Sequence, residues 1–463
     1  MSTLDEIKSW LQARLPALMA EHKVPGAVVA VAADGQVIDL AAGVLSKATG
    51  VEATVDSVFQ IGSITKVWTT TLVMQLVDEG KLDLDAPVRR YVPEFRLADE
   101  TAAATITIRQ LLSHTGGFEG DIFTDTGRGD DAVQRYLETL AEVGQLFSPG
   151  ERFSYNNAAF CVLGRVVEVQ REKPFGECLR EHLFAPLGLA YASPSPYEAI
   201  LHRVAVGHLQ PTPDVDPQPA PIWALAPSNA PAGAMLAMRA RDLITFARMH
   251  SSGGAADDGT AVLSPESVKA MQERQVELPP LGLMGTSWGL GWEIYDWPGG
   301  TVIGHDGGTI GQAAMLRLVP DRGVAIALVT NGGNPISMYT ELFSHLLREL
   351  AGIEMPALPT PPAEPEPFDA TRYVGTYASE VVELTVSQDE DGRVWLEQTP
   401  KGILAELGGT SERRELVRLA GDTLVPVQAQ MGMHAPHVFV GDDGTGHALY
   451  VHNGRATRRV PTQ

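Results

Sequence analysis

The sequence predicts an α+β domain followed by a small all-β domain, and three observations lead to this prediction. Strand patterns lie near both ends of the first 355 residues with helical patterns between them, which is typical of an α+β domain whose sheet is completed by distant parts of the chain. Six prolines in the twelve residues 356–367 favour an extended linker. Alternating apolar residues then predict β-hairpins. We therefore expect domains at 1–355 and 368–463 joined by a linker at 356–367.

The elements of the first domain follow from local patterns. Two apolar runs around an Asp-Gly turn predict a strand pair, and helical periodicity that stops at Gly80 predicts a glycine-capped helix. A second helix is predicted after the sequence YNN, and two late strands flank a Pro-Asp turn. In chain order the predictions are strands within Gly26–Val44, helices at Ile64–Glu79 and about Ala158–Gln170, and strands at Ala313–Val319 and Val324–Thr330.

The second domain shows strand patterns throughout. Val381–Gln398 contains two alternating apolar runs joined by acidic residues and an Asp391-Gly392 turn, which is a hairpin signal. His437–Val460 repeats this arrangement. Several short strands joined by such turns predict a barrel or a sandwich.

Composition excludes several classes of function. The chain carries 57 acidic and 35 basic residues, and a net charge of -22 repels nucleic acid. The first 26 residues lack the pattern of a signal peptide, and no apolar run has the length of a membrane span. Two cysteines provide no disulfide framework, and His202 and His208 lack partners at metal-ligand spacing. We expect a cytoplasmic protein without a metal, a cofactor or a membrane partner.

A serine and a lysine stand three residues apart where the first predicted helix begins. Ser63 and Lys66, in the sequence FQIGSITKVWTT, would share one face of that helix with about 5–6 Å between their Cβ atoms. A serine hydroxyl needs such a neighbouring base to become a nucleophile. An S-x-x-K pattern also arises by chance, and an N-capping serine followed by a solvated lysine is the alternative.

Two further motifs follow in order. Tyr155 and Asn157 form a Y-x-N pattern before the second helix, and His305 begins an H-x-G pattern before the late strands. The set S-x-x-K, Y-x-N and H-x-G resembles the serine β-lactamase and penicillin-binding-protein superfamily, in its class C and esterase-like branch. Connecting segments such as LLSHTGGF and WGLGWEI extend the resemblance over most of residues 1 to 350. It implies an antiparallel sheet flanked by helices, with an all-helical lobe.

The resemblance implies roles for the motif residues. Ser63 would attack the acyl donor, Lys66 and Tyr155 would exchange its proton, and Asn157 would hold Lys66 and contact the substrate. The pattern leaves open whether Lys66 or Tyr155 is the general base. For Asn157 the alternative is a turn residue that caps the next helix, since asparagine favours such positions.

The resemblance also implies roles for the residues of the H-x-G motif. The backbone N–H groups of Ser63 and Gly308 would form an oxyanion hole, and Asp306 and Gly307 are candidate substrate contacts. His305 stands where many relatives have lysine, which suggests a group that is neutral or cationic near physiological pH. A surface-loop histidine is the alternative.

The substrate prediction rests on the missing export signal and on the second domain. The chain resembles the stand-alone penicillin-binding-protein-type thioesterases, which carry a lipocalin-like barrel after the catalytic domain. That resemblance implies a peptidyl thioester donor ending in a D-residue, delivered by a peptidyl carrier protein and released as a head-to-tail macrocycle. The basic cluster Arg455, Arg458 and Arg459 would bind the peptide or its carrier, with Arg455 favoured, unless it is a solvated chain end.

Two other functions fit the same residues. A general esterase or D-amino-acid-directed peptidase would use the same serine and lysine with water as the acceptor. A catalytically silent peptide-binding relative would keep the fold without the chemistry, but the complete set of motif residues argues against it.

Overall fold

We analysed a computed structural model that describes residues 3–210, 215–406, 408–430 and 432–460. No helix in these ranges combines the length and the apolar character needed to cross a membrane. The helices are α1 (Leu4–Glu21), α2 (Thr65–Asp78), α3 (Glu100–Thr105), α4 (Ile108–Leu112), α5 (Ala132–Glu138), α6 (Asn157–Arg171), α7 (Phe175–Leu179), α8 (Pro196–Ala199), α9 (Ala240–Ser251), α10 (Pro265–Gln272), α11 (Pro335–Ala351) and α12 (Gly402–Glu406).

Within the described residues, the strands form one large sheet, one closed barrel and two short pairs. Those before the linker are β1 (Gly26–Ala33), β2 (Gln36–Gly43), β3 (Phe59–Gln60), β4 (His208–Leu209), β5 (Gln218–Pro219), β6 (Ala237–Met238), β7 (Val276–Glu277), β8 (Ser287–Trp288), β9 (Glu293–Trp297), β10 (Gly300–Gly308), β11 (Ala313–Val319) and β12 (Val324–Thr330). Those of the barrel are β13 (Gly375–Ala378), β14 (Val382–Gln388), β15 (Val394–Pro400), β16 (Glu412–Ala420), β17 (Thr423–Pro426), β18 (His437–Val440), β19 (Tyr450–His452) and β20 (Ala456–Arg459).

The large sheet confirms the predicted α+β domain. Its order is β2-β1-β12-β11-β10-β9-β8-β7, and Ala27 of β1 lies opposite Thr330 of β12. The two ends of the domain therefore complete one sheet. The strands predicted at Ala313–Val319 and Val324–Thr330 have the observed bounds, since the Pro320-Asp321 turn separates two largely apolar runs.

Burial of β1 on both faces places the sheet between two helical layers. Val28, Ala30 and Ala32 pack in one core, and the alternate residues Ala27, Val29 and Val31 pack in the other. The second core contains α1 and α11, whereas the first contains α2, α6 and α9. Because strand side chains alternate between faces, a continuous apolar run is what a strand in the middle layer requires.

The two helices that carry the candidate site lie within one residue of their predicted bounds. A 3₁₀ turn at Gly62–Ile64 leads into α2. The side chain of Asn156 caps α6 by accepting a hydrogen bond of 2.7 Å from the N–H of Ala159. The cap is thus Asn156, which leaves the side chain of Asn157 available for contacts inside the site.

The barrel closes through antiparallel pairs from β13 to β20 and back to β13. Of the two shapes predicted for the second domain, the barrel is the one observed. No helix or strand is assigned between Gly352 and Thr371, which agrees with a proline-rich linker, and the domain boundaries themselves stay predictions.

The turn between β19 and β20 rests on the segment before α6. Gly454 accepts a hydrogen bond of 2.9 Å from the N–H of Tyr155, and Ala456 donates one of 3.1 Å to the hydroxyl of Ser154. His452 contacts the carbonyl of Phe153 at 2.9 Å. The turn between β19 and β20 of the barrel therefore supports the backbone that carries Tyr155.

Candidate active site

Ser63 and Lys66 lie at the entrance to α2 and contact each other. The Nζ of Lys66 donates a hydrogen bond of 3.1 Å to the Oγ of Ser63. Ser63 belongs to the 3₁₀ turn and is half-buried, whereas Lys66 is fully buried. The spacing of three residues thus brings the two side chains together, and the solvated lysine of the alternative interpretation is not observed.

Lys66 has two more acceptors. Its Nζ donates hydrogen bonds of 2.7 Å to Oδ1 of Asn157 and of 2.7 Å to the carbonyl of Ala232. Burial lowers the pKa of Lys66 to about 7, because a low-dielectric surrounding disfavours the charged amine. The neutral amine and the ammonium are therefore both accessible near neutral pH, which suits a group that takes and returns a proton.

The rate of Ser63 acylation is expected to rise with pH through about pH 7. Below that pH Lys66 is an ammonium and cannot accept the serine proton, whereas above it the amine is neutral. Labelling rates with a fluorophosphonate between pH 5 and pH 9 measure this, with Ser63→Ala as the blank. A rate that stays constant from pH 6 to pH 8 would show that Lys66 is not the base.

Tyr155 lies in an aromatic surrounding beside Lys66. The Nζ of Lys66 is 4.8 Å from the centroid of the phenol ring, and the ring of His114 stacks on it at 4.4 Å. Burial raises the pKa of Tyr155 although its hydrogen bond with Ser63 lowers it. The phenol is thus protonated at neutral pH, which favours Lys66 over Tyr155 as the base of the free enzyme.

The turn of Ser63 packs directly on the end of β10. A Cβ atom added to Gly307 would overlap the carbonyl oxygen of Ile61 and lie 3.0 Å from the nitrogen of Ser63. A Cβ atom on Gly62 would lie 2.7 Å from the nitrogen of Gly308. Only glycine permits this approach of two backbones. It brings the N–H groups of Ser63 and Gly308 close together, where an oxyanion hole is expected.

His305 is buried and neutral. Its Nδ1 lies 2.7 Å from the carbonyl of Asp306, so this nitrogen carries the proton. Burial, with Lys66 nearby, lowers the pKa of His305 to about 3, so that of the two forms expected near physiological pH, neutral and cationic, the neutral one is favoured. Nε2 has no hydrogen-bond partner among the described residues. The histidine is therefore a buried acceptor beside Tyr155, whose ring centroid is 6.2 Å away.

Asp306 and Gly307 are both in contact with other parts of the protein. The carboxylate of Asp306 accepts hydrogen bonds of 2.6 and 2.9 Å from Arg317, which is fully buried. Gly307 is covered by the Ser63 turn. These contacts do not support the suggested roles in substrate binding, because both groups are already used to hold β10 in place.

Replacing Asp306 by alanine is expected to lower the free energy of unfolding by about 3 kcal/mol, because Arg317 would be left buried without its partner. Urea unfolding followed by fluorescence measures the change. Asp321→Ala, at an exposed turn between β11 and β12, is the matched control. Equal stability of both variants would contradict the assignment of Asp306 as the partner that stabilises Arg317.

The three arginines of the basic cluster have different environments. Arg455 donates a hydrogen bond of 2.8 Å to Asp121 and lies 4.8 Å from the ring centroid of Tyr155. Arg458 is exposed, and Arg459 donates to backbone carbonyls within the barrel. Arg455 is therefore the member that reaches the site, and its side chain keeps 40% exposure.

Two residues beside the site were not singled out from the sequence. Asp121 accepts a hydrogen bond of 2.7 Å from Nδ2 of Asn157. His114 accepts one of 2.9 Å from the N–H of Asn156 and supports Tyr155, with a left-handed backbone φ of 57°. The segment LLSHTGGF contains His114, but only the fold brings either residue to the tyrosine and the asparagine.

A second serine stands in a pattern that is typical of catalytic serines. Gly285–Gly289 reads GTSWG, which has the G-x-S-x-G form of a nucleophile elbow. Ser287 is fully buried in the two-residue strand β8, so it lacks the exposed strand-to-helix turn that such a nucleophile needs. Trp288 and Trp292 nearby are fully buried and serve packing.

The site contains a serine hydrogen-bonded to a buried lysine, a tyrosine beside the lysine, and two backbone N–H groups next to the serine. This arrangement is that of a serine hydrolase that works through an acyl-enzyme. The chain belongs to the beta-lactamase family, whose model matches residues 11–349, more than half of the chain. The resemblance to the penicillin-binding-protein-like serine hydrolases is thereby confirmed.

Relatives and solved structures agree with this assignment. Penicillin-binding protein 4 of Amycolatopsis lactamdurans is 48% identical over 370 residues, which cover 80% of this chain and 97% of that protein. The crystal structure of SurE with D-Leu is 31% identical with a TM-score of 0.77, and the match covers 98% of this chain and 99% of that one.

A third comparison covers a smaller share of the chain. The D-amino acid amidase from Ochrobactrum anthropi SV3 in complex with D-phenylalanine has a TM-score of 0.60 at 21% identity, and the match covers 72% of this chain and 99% of that one. This likeness concerns the fold alone. The match to SurE extends over almost the whole chain, and therefore over the barrel as well.

Proposed function

We propose that this protein is a penicillin-binding-protein-type thioesterase that releases a nonribosomal peptide with a D-configured C-terminal residue and closes it head to tail. The observation that carries the proposal is the match to the structure of SurE with D-Leu over 98% of the chain, at 31% identity. The match includes both the serine site and the barrel. A D-amino acid in that structure supports a donor of the same configuration here.

In the acylation step Lys66, as the neutral amine, takes the proton of Ser63 while the serine oxygen attacks the thioester carbonyl. The N–H groups of Ser63 and Gly308 stabilise the oxyanion. The carbon–sulfur bond then breaks, and the proton held by Lys66 passes to the departing thiolate, with Tyr155 as the relay. The products are a free thiol, as on a carrier protein, and a peptidyl ester of Ser63.

In the release step the amine at the other end of the same peptide attacks the ester. Its proton passes to Lys66 and then to the oxygen of Ser63, so that an amide forms and the serine is restored. An intramolecular amine has a high effective molarity, so the enzyme needs mainly to fold the peptide back and to exclude water. The barrel turn that contacts Tyr155 is placed to do so, and Arg455 is the candidate contact for the peptide or its carrier.

The test is mass spectrometry of the products from a synthetic peptidyl thioester ending in a D-residue. An L-terminated twin, a simple aryl ester and Ser63→Ala run beside it. We expect a Ser63-dependent cyclic product from the D-peptide alone. Linear acids with faster turnover of the aryl ester would identify an esterase or D-directed peptidase, and failure to acylate Ser63 with any donor would identify a silent relative.

A further inference from the structure

A chain of hydrogen bonds runs from the barrel to the lysine of the active site. Arg455 donates from Nε to Oδ2 of Asp121 at 2.8 Å and from Nη2 to Oδ1 at 3.3 Å. Nδ2 of Asn157 donates to the same Oδ1 at 2.7 Å, and Oδ1 of Asn157 accepts from Lys66 at 2.7 Å. The four side chains come from the barrel, a loop and two helices.

Asp121 determines how the amide of Asn157 is oriented. An ionised carboxylate only accepts hydrogen bonds, so the amide must turn its NH₂ group toward Asp121. Its oxygen then faces Lys66, as observed. The reversed amide would place an NH₂ group against the amine of Lys66 and an oxygen against the carboxylate. Asp121 thus excludes the orientation in which Asn157 cannot hold the lysine.

The loop that carries Asp121 is held against the start of α6. The N–H of Ala158 donates a hydrogen bond of 2.9 Å to the carbonyl of Gly120, and a Cβ atom on Gly120 would lie 2.6 Å from the Cα of Asn156. Asp121 itself is buried. A buried carboxylate requires a cation or several donors, and Arg455 supplies the cation.

Arg455 can reach Asp121 only when the barrel is docked. The residues on either side of it bind the segment before α6, since Gly454 accepts from the N–H of Tyr155 and Ala456 donates to Ser154. The guanidinium also lies over the ring of Tyr155. The ion pair therefore forms together with the contact between the two domains.

We propose that Asp121 is a positioning residue that couples docking of the barrel to the active site: with Arg455 engaged, it orients Asn157 so that Lys66 is held against Ser63. The proposal rests on the roles of Lys66 and Ser63 in the proposed function. Asp121 does not touch the reacting atoms and acts through Asn157. Acylation is then efficient only in the closed arrangement, which also excludes water.

The charges around Lys66 give this role a distinct signature. Asp121 raises the pKa of Lys66, and Arg455 lowers it. Loss of Asp121 therefore shifts the pH dependence of acylation to lower pH. Loss of Arg455 shifts it to higher pH. The further titratable groups near the lysine are Cys161, whose thiol is buried with a raised pKa, the protonated phenol of Tyr155, and the neutral rings of His114 and His305.

The experiment measures the fluorophosphonate labelling rate of Ser63 from pH 5 to pH 9 in the full chain. The variants are Asp121→Asn, Arg455→Gln and the double variant. Asp125→Asn is the control for Asp121→Asn, because Asp125 forms an exposed ion pair in the loop that carries Asp121. Arg413→Gln is the control for Arg455→Gln, at an exposed position of the barrel. Thermal unfolding of every variant is recorded in parallel.

With Asp121→Asn we expect a maximal rate lower by roughly tenfold to a hundredfold, the range for a lost hydrogen bond to a charged group. The rising limb of the pH–rate profile of this variant moves to lower pH by roughly half a unit to one unit. Arg455→Gln moves the limb to higher pH, and the double variant returns it toward that of the unchanged protein. Both controls keep the original profile.

Two results overturn the proposal. One is an unchanged profile and rate in Asp121→Asn. The other is a lower rate with an unmoved limb and a lower unfolding temperature, which assigns Asp121 a purely structural role. Labelling of the Ser63→Ala variant at the same rate contradicts the proposed function itself, so the two failures are distinguishable.

Discussion

Replacing Lys66 by methionine is expected to slow acylation of Ser63 by about 10²-fold to 10⁴-fold, the range for loss of a general base. Methionine fills much of the same buried space but neither takes the serine proton nor donates to Asn157 and Ala232. The measurement is the labelling rate with a fluorophosphonate at pH 8, where the amine of the unchanged protein is mostly neutral.

Lys81→Met is the matched control, because Lys81 lies just beyond the same helix with its side chain 47% exposed. We expect that variant to label at the original rate. Circular dichroism confirms that the Lys66→Met chain is folded. If Lys66→Met labels within a few-fold of the unchanged protein, Tyr155 alone activates the serine and the assignment of the base is wrong.

Replacing Gly307 by alanine is expected to slow acylation by roughly 10²-fold or more, because the new methyl group must displace the Ser63 turn. The overlap is with the carbonyl of Ile61, a backbone atom that cannot rotate away as a side chain can. Separation of the turn from β10 would move the N–H of Ser63 away from that of Gly308. The labelling rate and the unfolding temperature are measured together.

Gly308→Ala provides the comparison at the next position. A Cβ atom on Gly308 meets no atom within 4 Å outside its chain neighbours, so this variant should unfold at the original temperature. Gly307→Ala should unfold at a lower one. Equal unfolding temperatures and equal labelling rates of Gly307→Ala and the unchanged protein would show that the two backbones are not in contact.

The elements predicted best are those whose pattern is local. The strands at Ala313–Val319 and Val324–Thr330 have their predicted bounds, and α2 and α6 lie within one residue of theirs. Each has an apolar run or a helical period that ends at a turn residue or a cap, and such signals depend on a few neighbouring residues. The closure of the barrel depends instead on β13 meeting β20, which no local pattern contains.

The protonation states could not be predicted from the motifs. Histidine in the H-x-G motif suggested a group that titrates near physiological pH, but burial keeps His305 neutral. The same cause brings the pKa of Lys66 close to neutrality. Desolvation is a property of the atoms packed around a group, and those atoms come from distant segments.

The motifs were sufficient to predict which residues carry the chemistry. Ser63 and Lys66 contact each other because one helical turn separates them, and the order of the three motifs identified the family. How these residues are held, by contrast, depends on contacts that form only in the folded chain. Asn157 reaches Lys66 across 91 residues of chain, and Arg455 reaches Asp121 across 334. Helical spacing acts over a few residues, whereas buried polar and charged groups take whichever partners the packed fold brings within hydrogen-bond distance.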